Sequence, residues 1–169
     1  MPMTTHSTHP IGTPGQPWGP AEFAEWRSRQ VKRRSHATDV VAVLMGWRSR
    51  FDVWSYGAVR HAEEHHELFA VRLRGQPPGL PRVLVTGGVH GYETSGVHGA
   101  LRFLDLHAEA CAGQVDLVVV PCVSPWAYER IHRWNFDAID PNRSFREGSP
   151  APESAALMQL VASLGGPFA

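Results

Sequence analysis

A histidine and a glutamate three residues apart, His90 and Glu93, are the side chains of this sequence best suited to bind a metal ion. An imidazole nitrogen and a carboxylate oxygen both bind divalent ions of the zinc type, at about 2.0 to 2.2 Å. If a helical turn begins at His90, positions i and i+3 lie on one face, and both side chains can reach one ion. The pair therefore predicts a metal site.

The chain around this pair supports the prediction more than the spacing alone does. An apolar segment, residues 82–86, predicts a buried strand that runs into Gly87 and Gly88, and residues from Thr94 onward favour a helix. In open α/β sheets, ligands bind at the carboxyl ends of strands, where such helices begin. Together with Gly91, the two glycines allow positive φ angles and a close approach of the backbone to a ligand.

A second polar group follows about forty residues later, an ordinary length for one strand-helix-strand unit. It contains Arg133, Asn142 and Arg143. An arginine side chain makes bidentate, charge-assisted hydrogen bonds to a carboxylate, and a preceding asparagine adds a neutral donor. Two arginines in one polar loop flanked by aromatic residues suit an anionic substrate and a developing oxyanion.

Taken together, these motifs resemble the zinc carboxypeptidases of the M14 family over about residues 50 to 169. Members of that family pair His-x-x-Glu with later Arg-x-Asn and Asp-x-Asn-Arg-x-Phe motifs. The matching segments here are Arg133-Trp134-Asn135 and Asp140-Pro141-Asn142-Arg143-Ser144-Phe145. The resemblance implies that His90 and Glu93 are zinc ligands and that Asn142 and Arg143 bind the terminal carboxylate of a substrate. It also implies that Arg133 is catalytic, polarising the scissile carbonyl, with Arg130 as the alternative.

The resemblance implies a hydrolase, a metallopeptidase that cleaves the C-terminal peptide bond of a peptide. A close alternative is a zinc-dependent N-acyl amino acid deacylase of the aspartoacylase and succinylglutamate desuccinylase group, which shares the His-x-x-Glu and Asn-Arg elements. Either substrate carries a free carboxylate. The residues Trp134-Asn135 and Ser144-Phe145 favour the carboxypeptidase.

Two expected parts of such a site are missing from the motifs of this sequence. Family members supply a third zinc ligand, a histidine on a later strand, and a glutamate general base, and neither motif is found here. His132, the histidine nearest in sequence to the loop that contains Arg133, could replace the third ligand. Because catalytic zinc normally has three protein ligands and a water, we expect little or no turnover by these residues alone. A non-catalytic remnant that binds metal or carboxylate-ended peptides is the remaining alternative.

The pattern of apolar residues predicts an α/β fold with a mixed, mostly parallel sheet covered by helices on both faces, similar to the first part of a zinc carboxypeptidase. The last predicted helix ends at Gly165, where another strand is expected. We therefore expect a C-terminal truncation and an unpaired sheet edge through which the chain could self-associate. The predicted strands are residues 53–60, 67–74, 82–86 and 115–120. The predicted helices are residues 21–34, 94–110 and 150–164, while residues 37–47 fit either a helix or a strand.

The segment from His61 to His66 contains three histidines and two glutamates in six residues. It lies between two predicted strands, the second of which alternates like an edge strand. We interpret the segment as a turn without rigid support for its side chains. On this interpretation it is not a metal site.

The composition excludes several classes of function. The chain has 169 residues, 43% hydrophobic and 19% charged, which predicts one globular domain, residues 21–169, after a disordered tail rich in Pro and Gly, residues 1–20. Sixteen basic residues balance sixteen acidic ones, so neither nucleic acid nor an anionic membrane is an expected partner. Cys111 and Cys122 have no ligand-like spacing, and no disulfide is expected. With no leader-like or membrane-spanning segment, we expect a cytoplasmic protein.

Overall fold

The computed structural model describes residues 11–165 and Phe168. The described chain forms two compact units, of which the first ends at Val31 and the second begins at Lys32. Residues 1–10, part of the predicted tail, lie outside the described residues. In the first unit, helix α1 (Pro20–Ser28) begins with a proline, and Glu22 accepts a hydrogen bond from Gly19 N at 2.9 Å. The prediction of a helix as far as Arg34 is wrong. The chain leaves the helix through a tighter turn, in which Gln30 N donates to Arg27 O at 3.0 Å.

The second unit contains one four-stranded sheet in the order β1-β2-β4-β3. The strands are β1 (Phe51–His61), β2 (Glu64–Leu73), β3 (Arg82–Thr86) and β4 (Asp116–Val120). β2 is antiparallel to both of its neighbours, whereas β3 and β4 are parallel. Phe168 forms a further parallel bridge to Arg82 of β3. The predicted mixed sheet is confirmed, but within the described residues two of the three strand pairs are antiparallel, so the sheet is not mostly parallel as predicted.

Helices cover both faces of the sheet, as the sequence predicts. All five residues of β4 are buried, and its side chains alternate between two apolar clusters. Leu117 and Val119 pack with helix α3 (Thr94–Leu106), which connects β3 to β4. Val118 and Val120 pack on the other face with helix α5 (Pro152–Leu164). A strand covered on both faces accounts for the high content of β-branched residues in residues 115–120.

Helical spacing correctly identifies the buried face of α3. Val97, Ala100, Leu101 and Leu104 are all buried, as their recurrence at positions i, i+3, i+4 and i+7 predicts. The helix is shorter than predicted and is followed by a 3₁₀ turn, Ala108–Cys111. The segment that the sequence left undecided, residues 37–47, is helical: a π-helical turn (Ala37–Val41) leads into helix α2 (Ala42–Gly46).

The hairpin of β1 and β2 differs from the prediction in two ways. First, the predicted turn from His61 to His66 is wrong, because the turn itself is only Ala62 and Glu63. His61 pairs with Glu64 in the ladder, and Ala62 takes a positive φ of 51° that closes the tight turn. Second, β2 is not an edge strand. It lies between β1 and β4, and its residue Val71 is fully buried.

Two short helical elements after β4 complete the part of the fold that carries polar side chains. Helix α4 (Pro125–Arg130) begins with Pro125 and ends at Ile131, which adopts a left-handed conformation with φ 56°. A 3₁₀ turn (Pro141–Arg143) follows a loop. Both cysteines are free, and no helix among residues 11–165 is long and apolar enough to cross a bilayer.

Candidate metal and substrate site

The loop that carries His90 lies at the carboxyl ends of the two parallel strands. Gly87 N donates to Val120 O at 2.8 Å, and Val123 N donates to Gly87 O at 3.0 Å. Ser124 N donates to Gly88 O at 3.0 Å. These bonds hold the loop after β3 against the chain that leaves β4, which is the location that open α/β sheets use for ligands.

The glycines of this loop are required by close packing of backbone against backbone. Only Gly88 of the three has a positive φ, 60°. A Cβ on Gly87 would lie 2.5 Å from Gly96 O, and one on Gly91 would overlap the carbonyl carbon of Ala127 in α4. The prediction that these glycines let the backbone approach a ligand is therefore replaced by a structural reason: they let the His90 loop lie directly on α3 and α4.

His90 is buried, at 4% exposure, between two carboxylates. Its Nδ1 lies 3.0 Å from Glu93 Oε1, and its Nε2 lies 2.9 Å from Asp140 Oδ1. A neutral imidazole has one N–H, so one of these contacts would bring two lone pairs together unless a second proton or a metal cation lies there. A carboxylate on Nε2 fixes the tautomer that leaves the Nδ1 lone pair facing Glu93, as is usual for metal-binding histidines.

The distance between the two predicted ligand atoms fits a shared zinc-type ion. Two atoms that each lie about 2.1 Å from one ion in a tetrahedral shell are about 3.4 Å apart. Nδ1 of His90 and Oε1 of Glu93 are 3.0 Å apart, and the Glu93 side chain is 49% exposed and free to adjust by a few tenths of an ångström. The pair can therefore supply two ligands to such an ion.

Asp140 connects His90 to the second motif. Its Oδ2 accepts hydrogen bonds from Arg133 Nε at 3.0 Å and from Arg133 Nη2 at 2.9 Å. Burial alone would raise the pKa of Asp140, but the hydrogen bonds from His90 and Arg133 outweigh burial and lower it. The sequence interpretation gave Asp140 no role, although its place in the Asp-x-Asn-Arg motif was a usable signal.

Arg133 belongs to the same network as His90. Its Nη1 donates to the Tyr92 hydroxyl at 3.0 Å, and the Tyr92 ring stacks on the His90 ring with centroids 5.8 Å apart. Hydrogen bonds to Asp140 and Tyr92 raise the pKa of Arg133, so its charge is permanent. Arg130, the alternative, is nearly buried and bonds to Glu64 instead. Of the two arginines, Arg133 is the one placed beside the His90 site.

Asn142 and Arg143 lie on the 3₁₀ turn that starts at Asp140. Asn142 N donates to Asp140 Oδ1 at 2.9 Å, which fixes the turn next to the His90 network. Both side chains are exposed. Their predicted role in binding a substrate carboxylate stays a prediction.

The loop between Arg133 and Asp140 is shaped by Asn135, which is 1% exposed. Its Oδ1 accepts from Asp137 N at 3.0 Å and from Ile139 N at 3.1 Å, and its Nδ2 donates to Glu153 Oε2 at 3.2 Å. Ala138, within this loop, has a positive φ of 56°. Because a residue with a Cβ is strained at such a φ, the loop carries local backbone strain at Ala138.

No third ligand joins His90 and Glu93 within residues 11–165. His132, the candidate nearest in sequence to the loop that contains Arg133, accepts a hydrogen bond from Trp134 N through its Nδ1 at 3.2 Å, and burial lowers its pKa. In the described part of the chain, three metal-ligand residues come together at one other place, formed by Glu64, His66 and Glu129. The His90 site thus offers two candidate protein ligands, His90 and Glu93, among the described residues.

Comparison with known proteins gives matches among solved structures. No protein-family model and no curated protein matches the sequence. A candidate metallopeptidase from Shewanella amazonensis is 26% identical with a TM-score of 0.63, over 80% of this chain and 56% of that chain. An aspartoacylase family protein from Mesorhizobium loti is 25% identical with a TM-score of 0.51, over 66% of this chain and 37% of that chain. A metallo-carboxypeptidase from Burkholderia cenocepacia is 19% identical with a TM-score of 0.60, over 74% of this chain and 37% of that chain.

The chain spans 56% of the length of the first of these structures and 37% of the other two. The third comparison shows the fold alone, because its identity is low. The first two add a resemblance to proteins named for metal-dependent peptide hydrolysis and for the aspartoacylase family. The described residues therefore have an α/β fold similar to that of metallocarboxypeptidase structures, with the His90 network at the carboxyl ends of its parallel strands.

Proposed function

We propose that these residues form the zinc-binding and carboxylate-binding part of a metallocarboxypeptidase that hydrolyses C-terminal peptide bonds. The observation that carries the proposal is the position of His90. Its two ring nitrogens lie 3.0 Å from Glu93 Oε1 and 2.9 Å from Asp140 Oδ1. One nitrogen is thereby fixed by a carboxylate, and the other faces a second ligand atom, as in metal-binding histidines.

Each predicted residue has a distinct task under this proposal. His90 and Glu93 would hold the ion, and Asp140 would orient the imidazole. Zinc, when bound, polarises a carbonyl and activates a water. Arg133 has N–H groups beyond those that bond Asp140 and Tyr92, and these would donate to the oxygen of the scissile carbonyl.

The terminal carboxylate of the substrate would bind at the exposed turn that follows Asp140. Arg143 offers a bidentate, charge-assisted contact, and Asn142 offers an uncharged donor beside it. Because Asn142 N is bonded to Asp140, the turn and the imidazole are positioned by one side chain. A substrate carboxylate on this turn would therefore be held at a fixed place relative to the ion.

A second candidate is hydrolysis of an N-acyl amino acid. The 25% identity to an aspartoacylase family protein, with a TM-score of 0.51, favours keeping it. The chemistry differs little, because both substrates present an amide carbonyl near a free carboxylate. The two activities differ in the group on the acyl side of the amide.

Ligand binding tests the proposal directly, without requiring a complete catalytic site. We would titrate the zinc-loaded chain with a blocked dipeptide that has a free C-terminus and with the same dipeptide as its C-terminal amide. The acid should bind at least about tenfold more tightly, because a charge-assisted hydrogen bond contributes about 1.5 to 3 kcal/mol. Arg143→Gln should remove the difference, whereas Arg146→Gln, another exposed arginine nearby, should keep it. Equal binding of acid and amide would contradict the proposal.

The same titration distinguishes the alternatives. Tighter binding of an N-acetyl amino acid than of the blocked dipeptide would favour the deacylase. Carboxylate binding without hydrolysis is the expected behaviour of the described residues, since catalytic zinc usually has three protein ligands and two are present here. Efficient zinc-dependent hydrolysis by the 169-residue chain would show that this expectation is wrong.

A further inference from the structure

Three side chains of the kind that bind metals meet on strand β2 and helix α4, and they share no residue with the His90 site. They are Glu64, His66 and Glu129, and their ligand atoms all lie within 4.8 Å of one another. Glu64 and His66 are two positions apart on β2, so they project from the same face of the strand. Glu129 projects from α4 and is 1% exposed.

The atoms that face one another in this group are buried and lack ordinary hydrogen bonds. His66 Nε2 lies 3.4 Å from Glu64 Oε2 and 3.9 Å from Glu129 Oε2. His66 Nε2 and Glu64 Oε2 have no hydrogen-bond partner within the described residues, and Glu129 Oε2 is paired with the Lys32 ammonium at 2.7 Å. His66 is 7% exposed. A buried polar atom without a partner lowers stability, so two such atoms that face each other beside a third carboxylate oxygen require an explanation.

The other oxygen of each glutamate is already occupied, and this orients the group. Arg130 Nη2 donates to Glu64 Oε1, and His36 N donates to Glu129 Oε1 at 2.9 Å. Each carboxylate therefore turns its Oε2 toward His66 Nε2. Hydrogen bonds that fix ligand side chains from behind in this way are typical of metal sites.

One cationic side chain, that of Lys32, already forms an ion pair with this group. The Lys32 ammonium lies 2.7 Å from Glu129 Oε2, but the Lys32 side chain is 52% exposed and can move into solvent. A cavity of about 230 Å³, lined in part by Lys32, His36, His66 and Glu129, gives a small ion a route of entry. Lys32 is therefore a competitor for the position rather than a permanent part of it.

We propose that Glu64 Oε2, His66 Nε2 and Glu129 Oε2 form a second binding site for a zinc-type divalent cation, which links β2 to α4. One imidazole and two carboxylates are a ligand set that such ions accept. The distances of 3.4 and 3.9 Å from His66 Nε2 need only small shifts to reach the roughly 3.4 Å between ligands of a tetrahedral ion. This site does not depend on the proposed peptidase function.

The test uses the full chain with the first site removed. In a His90→Ala, Glu93→Ala background, zinc titration with a competing chelator dye should still find one bound equivalent. His66→Ala and, separately, Glu64→Gln should each weaken that binding by at least about tenfold. His65→Ala is the matched control, because His65 is the exposed neighbour on the same strand and should leave the affinity unchanged.

Substitution of Lys32 distinguishes a metal site from a cluster that only forms a salt bridge with lysine. Lys32→Met removes the competing ammonium, so zinc affinity should rise by about tenfold if the ion takes that position. Circular dichroism would establish that each variant is folded. The proposal is overturned if the folded double-alanine background binds no zinc and Lys32→Met does not restore binding. It is also overturned if His65→Ala weakens zinc as much as His66→Ala does.

Discussion

Replacing Asp140 with asparagine tests whether this carboxylate is what prepares His90 to bind a metal. Asp140 Oδ1 faces His90 Nε2 at 2.9 Å and accepts from Asn142 N at 2.9 Å, while its Oδ2 accepts twice from Arg133. Every contact of the side chain thus uses an oxygen as acceptor. An asparagine keeps one acceptor and introduces an N–H₂ donor in place of the other.

Neither orientation of the introduced amide can satisfy these partners. If the amide oxygen faces His90, the N–H₂ group points at the guanidinium of Arg133, and two donors meet. If the oxygen faces Arg133, the N–H₂ group points at Nε2 of His90 and favours the tautomer with its proton on Nδ1. That tautomer cannot bind a metal through Nδ1. The negative charge that stabilises the imidazole and the guanidinium is lost in both cases.

The expected cost follows from the role of such partners in metal sites. Loss of the carboxylate behind a metal-binding histidine weakens metal affinity by about 10- to 100-fold, or about 1.4 to 2.8 kcal/mol. Zinc affinity would be measured by competition with a chelating dye, in a His66→Ala background so that only the His90 site is titrated. Asp52→Asn, the same change at an exposed position on β1, is the control and should have no effect.

Three results would contradict this reasoning. Asp140→Asn with zinc affinity within twofold of its parent, while His90→Ala abolishes binding, would show that the orientation of the imidazole does not depend on Asp140. An equal loss in Asp52→Asn would show that the effect is one of overall charge. Unchanged zinc binding in His90→Ala would show that the titrated site does not include His90.

Three further predictions concern stability and are measured by denaturant or thermal unfolding. Gly91→Ala should lower stability by about 3 kcal/mol or more, because its Cβ would overlap the α4 backbone. Gly99→Ala is the control: this helical glycine has open space around it, and the change should raise stability by about 0.5 to 1 kcal/mol. Equal effects of the two substitutions would contradict the packing argument. Ala138→Gly should raise stability by about 0.5 to 1 kcal/mol by relieving a positive φ of 56°, with Ala62→Gly as a second test at φ 51°; a loss in both would refute it. Burial raises the pKa of Glu153 above its ordinary 4.5, so the folded chain keeps a proton that the unfolded chain has lost, and stability falls as pH rises through that window. Glu153→Gln should therefore be more stable than its parent near about pH 8 but not near about pH 4, and a parallel pH profile for the two would exclude this effect.

The parts of the fold that depend on local periodicity were predictable from the sequence. The β-branched run of β4 and the helical spacing in α3 report burial directly, since each residue's face is set by its position in a regular element. The proximity of His90 and Glu93 was predictable from their spacing, because Glu93 N donates to His90 O and closes one turn, while their binding of a metal stays a prediction. Zinc itself and the roles of Arg133, Asn142 and Arg143 stay predictions.

The contacts between segments that are distant in the sequence could not be predicted from local periodicity. Asp140 meets His90 only because the loop after β3 and the turn before Arg143 are brought to one end of the sheet. The hairpin was misread because polar residues do not mark a strand by hydrophobic alternation. His61 and residues 64–66 are held in the ladder by the cross-strand pairing that starts at Gly57 and Leu68, after a register shift between Ser55 and Gly57. Cross-strand pairing, and not local composition, places Glu64 and His66 on a rigid element.

Because Glu64 to His66 form part of a strand and not a turn, the histidine-rich segment can support a metal site, and it is connected to the His90 site through α4. A turn would have left its side chains without support, but a strand directs Glu64 and His66 toward α4, where Glu129 completes the group. The same short helix supports the His90 loop, since Gly91 packs against the backbone of Ala127. Ala127 and Glu129 are only two residues apart on α4. A cation that fixes Glu129 would therefore also hold the surface on which the His90 loop rests.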